Sequence, residues 1–476
     1  MKKRLYVTAI ALIAAVLLSL IGHFILSDAK NSTPSIPNAE KLYKASHSAI
    51  SDAQDLVLNV SKNQAITIGT SIFYETSQQT VSYNDIGSEN MRIGLTETLS
   101  IDAYDIHISE VFSEGTVYTK VNGSCFSGKI NAIDYQARFS PAVLINADLY
   151  KNITLTDTGK GYTIDFKEPT GAEDWAMEES CTFVDATGTA YISYDGNLTK
   201  SVYTLTYDRE SVHFQMSWTA EPDLSTGNVE LPADTSLYTP IDYLEGPFML
   251  ERASGYLLQS KKISGYYSDS IYFQAFGDAR TQNITIHTIT DNGWSAKVDT
   301  LTVLKNDSRV DQNSQLEKTE LYTDNVYFVS TNGSEPSANT EVSTDAMRGY
   351  CKNLLVGTVM LPQYATGAQA TDTGDRLRIV FSGSDAYSAL ISSNAGQTMY
   401  QQPDILNKLA QSSTTDTLQC YLELDKNTGL PVGSGIHYSG THTIEGIPYV
   451  LRYKADQVYD IPSQNAEEEI NKAAGA

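Results

Sequence analysis

The sequence predicts an α+β fold of mainly antiparallel β-structure: two tandem, strongly curved sheets with covering helices, following an N-terminal transmembrane helix. Three observations carry this expectation. The chain opens on a long apolar run, and the remainder divides into two related halves. Each half starts with helical spacing and then alternates apolar and polar residues.

Composition narrows the function classes. The 476 residues include 33 Lys+Arg and 57 Asp+Glu, a formal net charge of −24. That balance argues against a nucleic-acid partner, which needs a concentrated cationic surface. It also repels anionic headgroups and wall polymers unless divalent cations bridge them. With 30 Tyr and 41% apolar residues the chain is not a disordered acidic polymer, and its four Cys are too few for a disulfide-dense scaffold.

Met1-Lys2-Lys3-Arg4 precedes the apolar run Leu5 to Leu26. As a helix this run is about 33 Å long, enough to cross a bilayer. The basic residues before it place the N-terminus inside and the bulk of the chain outside the cell membrane. A signal peptide cut near Ser27-Asp28-Ala29 is the competing reading. The run exceeds the usual length of about 7–15 residues for such a segment, so residues 1–29 are expected to stay as a single-pass anchor. Residues 30–37, polar with two prolines, form a linker.

Beyond the linker lies the repeat. Leu42–Ser46 matches Leu250–Ser254, Val117-Tyr118 matches Val326-Tyr327, and Asn122-Gly123 matches Asn332-Gly333. Asp157-Thr158-Gly159 matches Asp372-Thr373-Gly374, Ala190–Asp195 matches Cys420–Asp425, and Glu230-Leu231-Pro232 matches Asp460-Ile461-Pro462. The offset grows only from 208 to 230, in the same order throughout. Two homologous domains, 38–236 and 242–464, follow from this, with a polar tail at 465–476.

Within the first copy, Leu42, Ala45, Ala49, Ile50 and Ala53 recur at helical spacing over Ala39 to Gln54. Strand alternation follows, punctuated by turns at Asn122-Gly123, Thr158-Gly159 and Asp195-Gly196. A second helix is expected after Ser140-Pro141, where Ser caps and Pro suits the first turn. Tyr162, Ile164 and Phe166 share one face of a strand, and Leu377, Ile379 and Phe381 share the matching face in the second copy.

Each copy resembles the LolA/LppX-type bacterial lipoprotein-carrier family. The residues that carry the likeness are the opening helix Glu40–Gln54, the segment Val117–Gly123, the Asp157-Thr158-Gly159 turn before Tyr162–Phe166, the strand pair from Ala190, and the closing Glu230-Leu231-Pro232. The resemblance implies a half-open β-barrel closed by helices in each copy, and the binding of acyl chains or the sensing of envelope stress. The tandem, anchored layout departs from a freely shuttling carrier.

Several motifs point to chemistry and have simpler readings. Paired Asp-Thr-Gly triplets in two lobes are the aspartic-protease pattern, but here a charged residue follows each Gly and an alternating strand comes next, which suits exposed turns. Ser27-Asp28-Ala29-Lys30 fits S-x-x-K without its companion motifs. Gly123–Lys129 has phosphate-loop spacing, yet Ile130 replaces the hydroxyl residue. His437 and His442 flank an expected hairpin turn at Ser439-Gly440, and no metal site is assigned to them. Cys125 and Cys181 in the first copy, and Cys351 and Cys420 in the second, permit one disulfide per copy in an oxidising compartment.

The expected function is therefore non-enzymatic and needs no cofactor: binding of a lipid or other apolar or amphiphilic small molecule in concave sheet cavities. Tyr162, Ile164, Phe166, Leu377, Ile379 and Phe381 are the candidate lining residues. The alternative is an envelope interaction or sensor module, with filled cores and an exposed apolar patch.

Overall fold

The computed structural model describes residues 37–460 except 69–70, 89, 103, 139–144, 176–180, 210–211, 226, 260–262, 274–277, 290–292, 305–311, 324–325, 340–364 and 384–412. The apolar run, the linker through residue 36 and the tail lie outside the described residues.

The first sheet comprises β1 (Leu56–Ile68), β2 (Ser71–Asn84), β3 (Arg92–Ile101), β4 (Tyr104–Ser113), β5 (Thr116–Val121), β6 (Ser124–Lys129), β7 (Tyr150–Asp157), β8 (Tyr162–Pro169), β9 (Cys181–Ile192), β10 (Leu198–Arg209), β11 (Val212–Asp223) and β12 (Thr239–Pro240). Their spatial order is β12-β6-β5-β4-β3-β2-β1-β11-β10-β9-β8-β7. Two antiparallel meanders are thus joined through β1 and β11, and only β12 adds in parallel, to β6.

The second sheet comprises β13 (Ile263–Phe273), β14 (Asp278–Ile289), β15 (Gly293–Leu304), β16 (Gln312–Thr323), β17 (Val326–Thr331), β18 (Ser337–Asn339), β19 (Ala365–Asp372), β20 (Arg376–Gly383), β21 (Ser413–Asp425), β22 (Pro431–Ile444) and β23 (Ile447–Asp460). Its order, β18-β17-β16-β15-β14-β13-β23-β22-β21-β20-β19, repeats that of the first sheet strand for strand, with β12 alone lacking a counterpart among the described residues.

The repeat extends to hydrogen bonds. Asn122 and Asn332 both adopt positive φ after β5 and β17. Each side chain accepts from a backbone N–H on the preceding strand, of His107 at 2.8 Å and of Glu317 at 2.9 Å. Asn tolerates this left-handed conformation because its short polar side chain bonds locally. The Asp-Thr-Gly triplets are likewise one turn built twice. Asp157 accepts from Gly159 N at 2.8 Å and Asp372 from Gly374 N at 2.9 Å, while Thr158 and Thr373 donate to the carbonyls of Gly161 and Arg376.

The fold class differs from the expectation. The chain is a β-protein rather than α+β, because its alternating segments continue as strands of up to 14 residues. Among the described residues the α-structure is confined to three helices: α1 (Ala39–Ser51), α2 (Ala132–Ala137) and α3 (Gly246–Gln259). These do not form a helical layer over each sheet. The start of the helix expected after Ser140-Pro141 lies outside the described residues, and from Ile145 the chain makes a 3-10 turn, Ala147–Leu149, before β7 begins. None of the described helices is long and apolar enough to cross a membrane, and the run expected to do so, Leu5 to Leu26, lies outside the described residues.

Helix α1 starts where Asn38 Oδ1 accepts from Lys41 N at 2.9 Å. It buries Tyr43, Ser46 and Ile50 and packs across β7, β9 and β10. Tyr43 meets Phe166 edge-on, with ring centroids 4.8 Å apart. Helix α3 opens the second copy but has two partners. Leu250, Ala253 and Leu257 are buried, and a Cβ at Gly246 would come within 2.8 Å of Ala368 in the second sheet. On the first sheet, a Cβ at Gly255 would come within 2.7 Å of the Tyr104 ring, so glycine is what permits the approach.

Candidate functional site

The concave face of the first sheet holds a cavity of about 650 Å³. Its walls come from β1–β4, β10 and β11, and α3 with the turn before it supplies Leu244, Phe248 and Arg252. Period-2 alternation explains the lining: Leu58, Val60, Lys62 and Gln64 project from one face of β1. Register aligns the next strands as rows. Leu58 lies opposite Val81, Val60 opposite Gln79, Lys62 opposite Ser77, and Gln64 opposite Glu75. Leu95 and Glu97 continue the first two rows on β3, and Trp218 lies opposite Lys62 on β11. The cavity therefore passes from an apolar end to a polar one.

Four carboxylates stand on this surface, each with its own partners. Glu245 accepts from the Tyr243 hydroxyl at 3.3 Å and has Arg138 at 3.8 Å. Arg252 donates to Glu75 Oε1 from Nε at 2.9 Å and from Nη2 at 2.6 Å, and to Oε2 at 2.8 Å. The Tyr256 hydroxyl donates to the same carboxylate. Burial works against the charged guanidinium, but Tyr256 and Glu75 outweigh it and raise the Arg252 pKa. Glu110 accepts from Thr119 and from Tyr135, each at 3.0 Å, and has Arg138 at 3.6 Å. Glu97 accepts from Ser77 at 2.6 Å and Gln79 at 2.9 Å. Tyr203 stacks on Trp218 with centroids 5.3 Å apart, and burial pushes its hydroxyl pKa up to about 12.

Lys62 is the exception. Its side chain is half-buried and makes no hydrogen bond or ion pair with the described residues. Burial lowers its pKa, partly countered by Glu75, while Arg252 adds to the lowering and Glu97 opposes it. An apolar wall with few placed polar groups can enclose a ligand's chain and orient its head. The lining includes neither His nor Cys.

The six expected lining residues sit elsewhere. Ile164 and Phe166 are fully buried under α1, with Phe166 between Tyr43 and Tyr150, and Tyr162 is half-buried beside Tyr194. In the second copy Ile379 and Phe381 are buried and Leu377 is half-buried, and Phe381 faces α3 at Gly246. None of the six borders the cavity of the first sheet. The residues that do border it were missed because Lys62, Glu75 and Glu97 look like solvent-facing positions in an alternating strand. The available signal was their parity with Leu58, Val60 and Leu95.

The other motifs resolve locally. Cys125 and Cys181 are free thiols, Cys420 is buried, and Cys351 lies outside the described residues. The Cys125–Cys181 pairing that the count permits is not made, since β6 and β9 stand far apart in the sheet order. Gly123 occupies a tight turn at φ +94°, with a strand rather than a helix after it. Strand β22 runs straight through Ser439-Gly440 and turns only at Glu445-Gly446. His437 and His442, five residues apart, therefore point to opposite faces. His437 pairs with Asp456 at 2.7 Å, and among the described residues no cluster suited to a metal occurs.

No protein-family model matches the chain, and no curated protein matches it. Among solved structures it is similar to LprF from Mycobacterium bovis, at 9% identity and TM-score 0.24, over 46% of this chain and 93% of that one. It is similar to a DUF1329 family protein from Desulfovibrio piger at 10% identity and TM-score 0.17, over 40% and 96%. OprD from Pseudomonas aeruginosa gives 7% identity and TM-score 0.11, over 86% and 96%. Likenesses this slight leave the function to the geometry of the cavity.

Proposed function

We propose that this chain is an extracytoplasmic binding protein that takes an amphiphilic, lipid-like ligand into the concave cavity of its first sheet and performs no chemistry on it. The observation that carries the reading is the cavity itself. Its volume of about 650 Å³ lies within the range typical of small-molecule sites, and Leu58, Val60, Val81, Leu95 and Phe248 supply apolar surface. Burying an acyl chain there is favourable by about 25 cal/mol per Å² of apolar surface removed from water. The alternative, an interaction module with filled cores, is disfavoured by the same space.

The test is native mass spectrometry of the chain purified gently from a lipid-rich host, followed by solvent extraction. A reproducible co-purifying amphiphile, absent from a folded Val60→Trp variant whose added bulk fills the apolar end, supports the reading. An apo mass in both proteins, with no uptake on titration with lipid, overturns it.

A further inference from the structure

The polar end of the cavity carries one cation, Lys62, that makes no hydrogen bond or ion pair with a described residue. The carboxylates within reach of Lys62 are already engaged. Glu75 is held by Arg252 and Tyr256, and Glu97 by Ser77 and Gln79. Three ammonium donors on Lys62 are therefore left toward the cavity. Lys62 sits between Trp218 on β11 and Ser77 on β2, where the apolar rows give way to polar ones. A desolvated cation without a partner is unfavourable, and the geometry relieves that only if something entering the cavity brings the opposite charge. Glu75 and Glu97 favour the protonated form of Lys62 without hydrogen-bonding to it, and Arg252, at the same end, works against it.

The geometry points to an anionic amphiphile, its head group accepting from Lys62 and its chain lying along Val60, Leu58, Val81 and Leu95. This rests on the proposed binding function and adds the class of head group to it. Carboxylate and phosphate heads share the required chemistry. The surface charge of the whole chain repels anions at long range, so selection must come from short-range contact inside the cavity rather than from steering.

The experiment titrates the full chain, by calorimetry below micelle formation, with three probes of equal chain length: dodecanoate, dodecyl phosphate and the uncharged dodecanoyl glycerol. The expected result is that at least one anionic probe binds about tenfold or more tighter than the neutral one, the size of a charge-assisted hydrogen bond. The better of the two anions identifies the head as carboxylate or phosphate. Lys62→Met should erase the preference, and Lys62→Arg should keep it. Equal binding of all three probes by the unmodified chain, or a preference that survives Lys62→Met, overturns the inference and leaves amphiphile binding standing. Failure of every probe to bind overturns the proposed function and this inference with it. The comparison of probes on the unmodified chain decides the matter even if Lys62→Met does not fold.

Discussion

Arg252, on the helix that opens the second copy, forms a two-nitrogen ion pair with Glu75, a buried carboxylate on the concave face of the first sheet. The neighbouring Glu251 accepts from Tyr104 at 2.5 Å and Asn122 at 3.2 Å, so α3 is fastened to the first sheet through two consecutive residues. One copy therefore supplies part of the other's cavity wall. Two domains inferred from a repeat are physically one site-bearing unit at this helix.

Breaking that pair from one side strands a buried charge. Arg252→Met is expected to destabilise the chain by about 3 kcal/mol, and Glu75→Leu by a similar amount. The double variant should recover most of the loss, because an apolar pair leaves no charge behind. Denaturant unfolding of the two single variants and the double variant measures the coupling. Additive losses would show that the pair is not coupled.

Phe166 and Val60 separate packing from binding. Phe166, fully buried between Tyr43 and Tyr150, should cost about 3–5 kcal/mol when changed to alanine. Ligand uptake by the fraction that remains folded should not change. Val60→Trp should show the reverse, with modest loss of stability and loss of uptake. Thermal unfolding and probe titration on both proteins check this contrast.

Much of the fold was legible, and the errors have physical causes. The order of the repeat survives in the strand order of the two sheets. Short matches slipped, however, as alternating strands allow. Register places Val117 opposite Phe112 and Tyr327 opposite Tyr322, so Val117 corresponds to Tyr327 and not to Val326. The site was less legible. Tyr162, Ile164 and Phe166 were chosen for their shared face, but a face under a helix and a face around a cavity have the same parity. Only the placement of α1 and α3 separates them, and this depends on contacts distant in sequence.

Acid should weaken the second sheet through Asp456. Burial alone would raise its pKa, but donors on Lys454, His437 and Tyr421 outweigh this and leave it lowered. A carboxylate held low stabilises the fold above its unfolded pKa of about 3.9, and that contribution disappears as pH falls through the lower folded value. The unfolding midpoint followed from about pH 6 down to pH 2 should fall more steeply in the unmodified chain than in Asp456→Asn. Parallel curves would remove Asp456 from the account.

Thiol counting tests whether Cys125 and Cys181 are free. Denatured but unreduced protein should show at least two reactive thiols, from Cys125 and Cys181. In the native state Cys420 should react slowest, because it is buried and burial raises its pKa. Fewer than two thiols in the denatured sample would contradict the free state of these two residues.

The central claim is that a ligand's chain lies in the first sheet's cavity, beside Trp218. The direct measurement is quenching of tryptophan fluorescence by a fatty acid brominated along its chain, compared between the unmodified protein and Trp218→Phe. Trp175 and Trp294 remain in both. The account predicts saturable quenching in the unmodified chain that largely disappears when Trp218 is replaced. Quenching that persists undiminished in Trp218→Phe, or that never occurs, would contradict it.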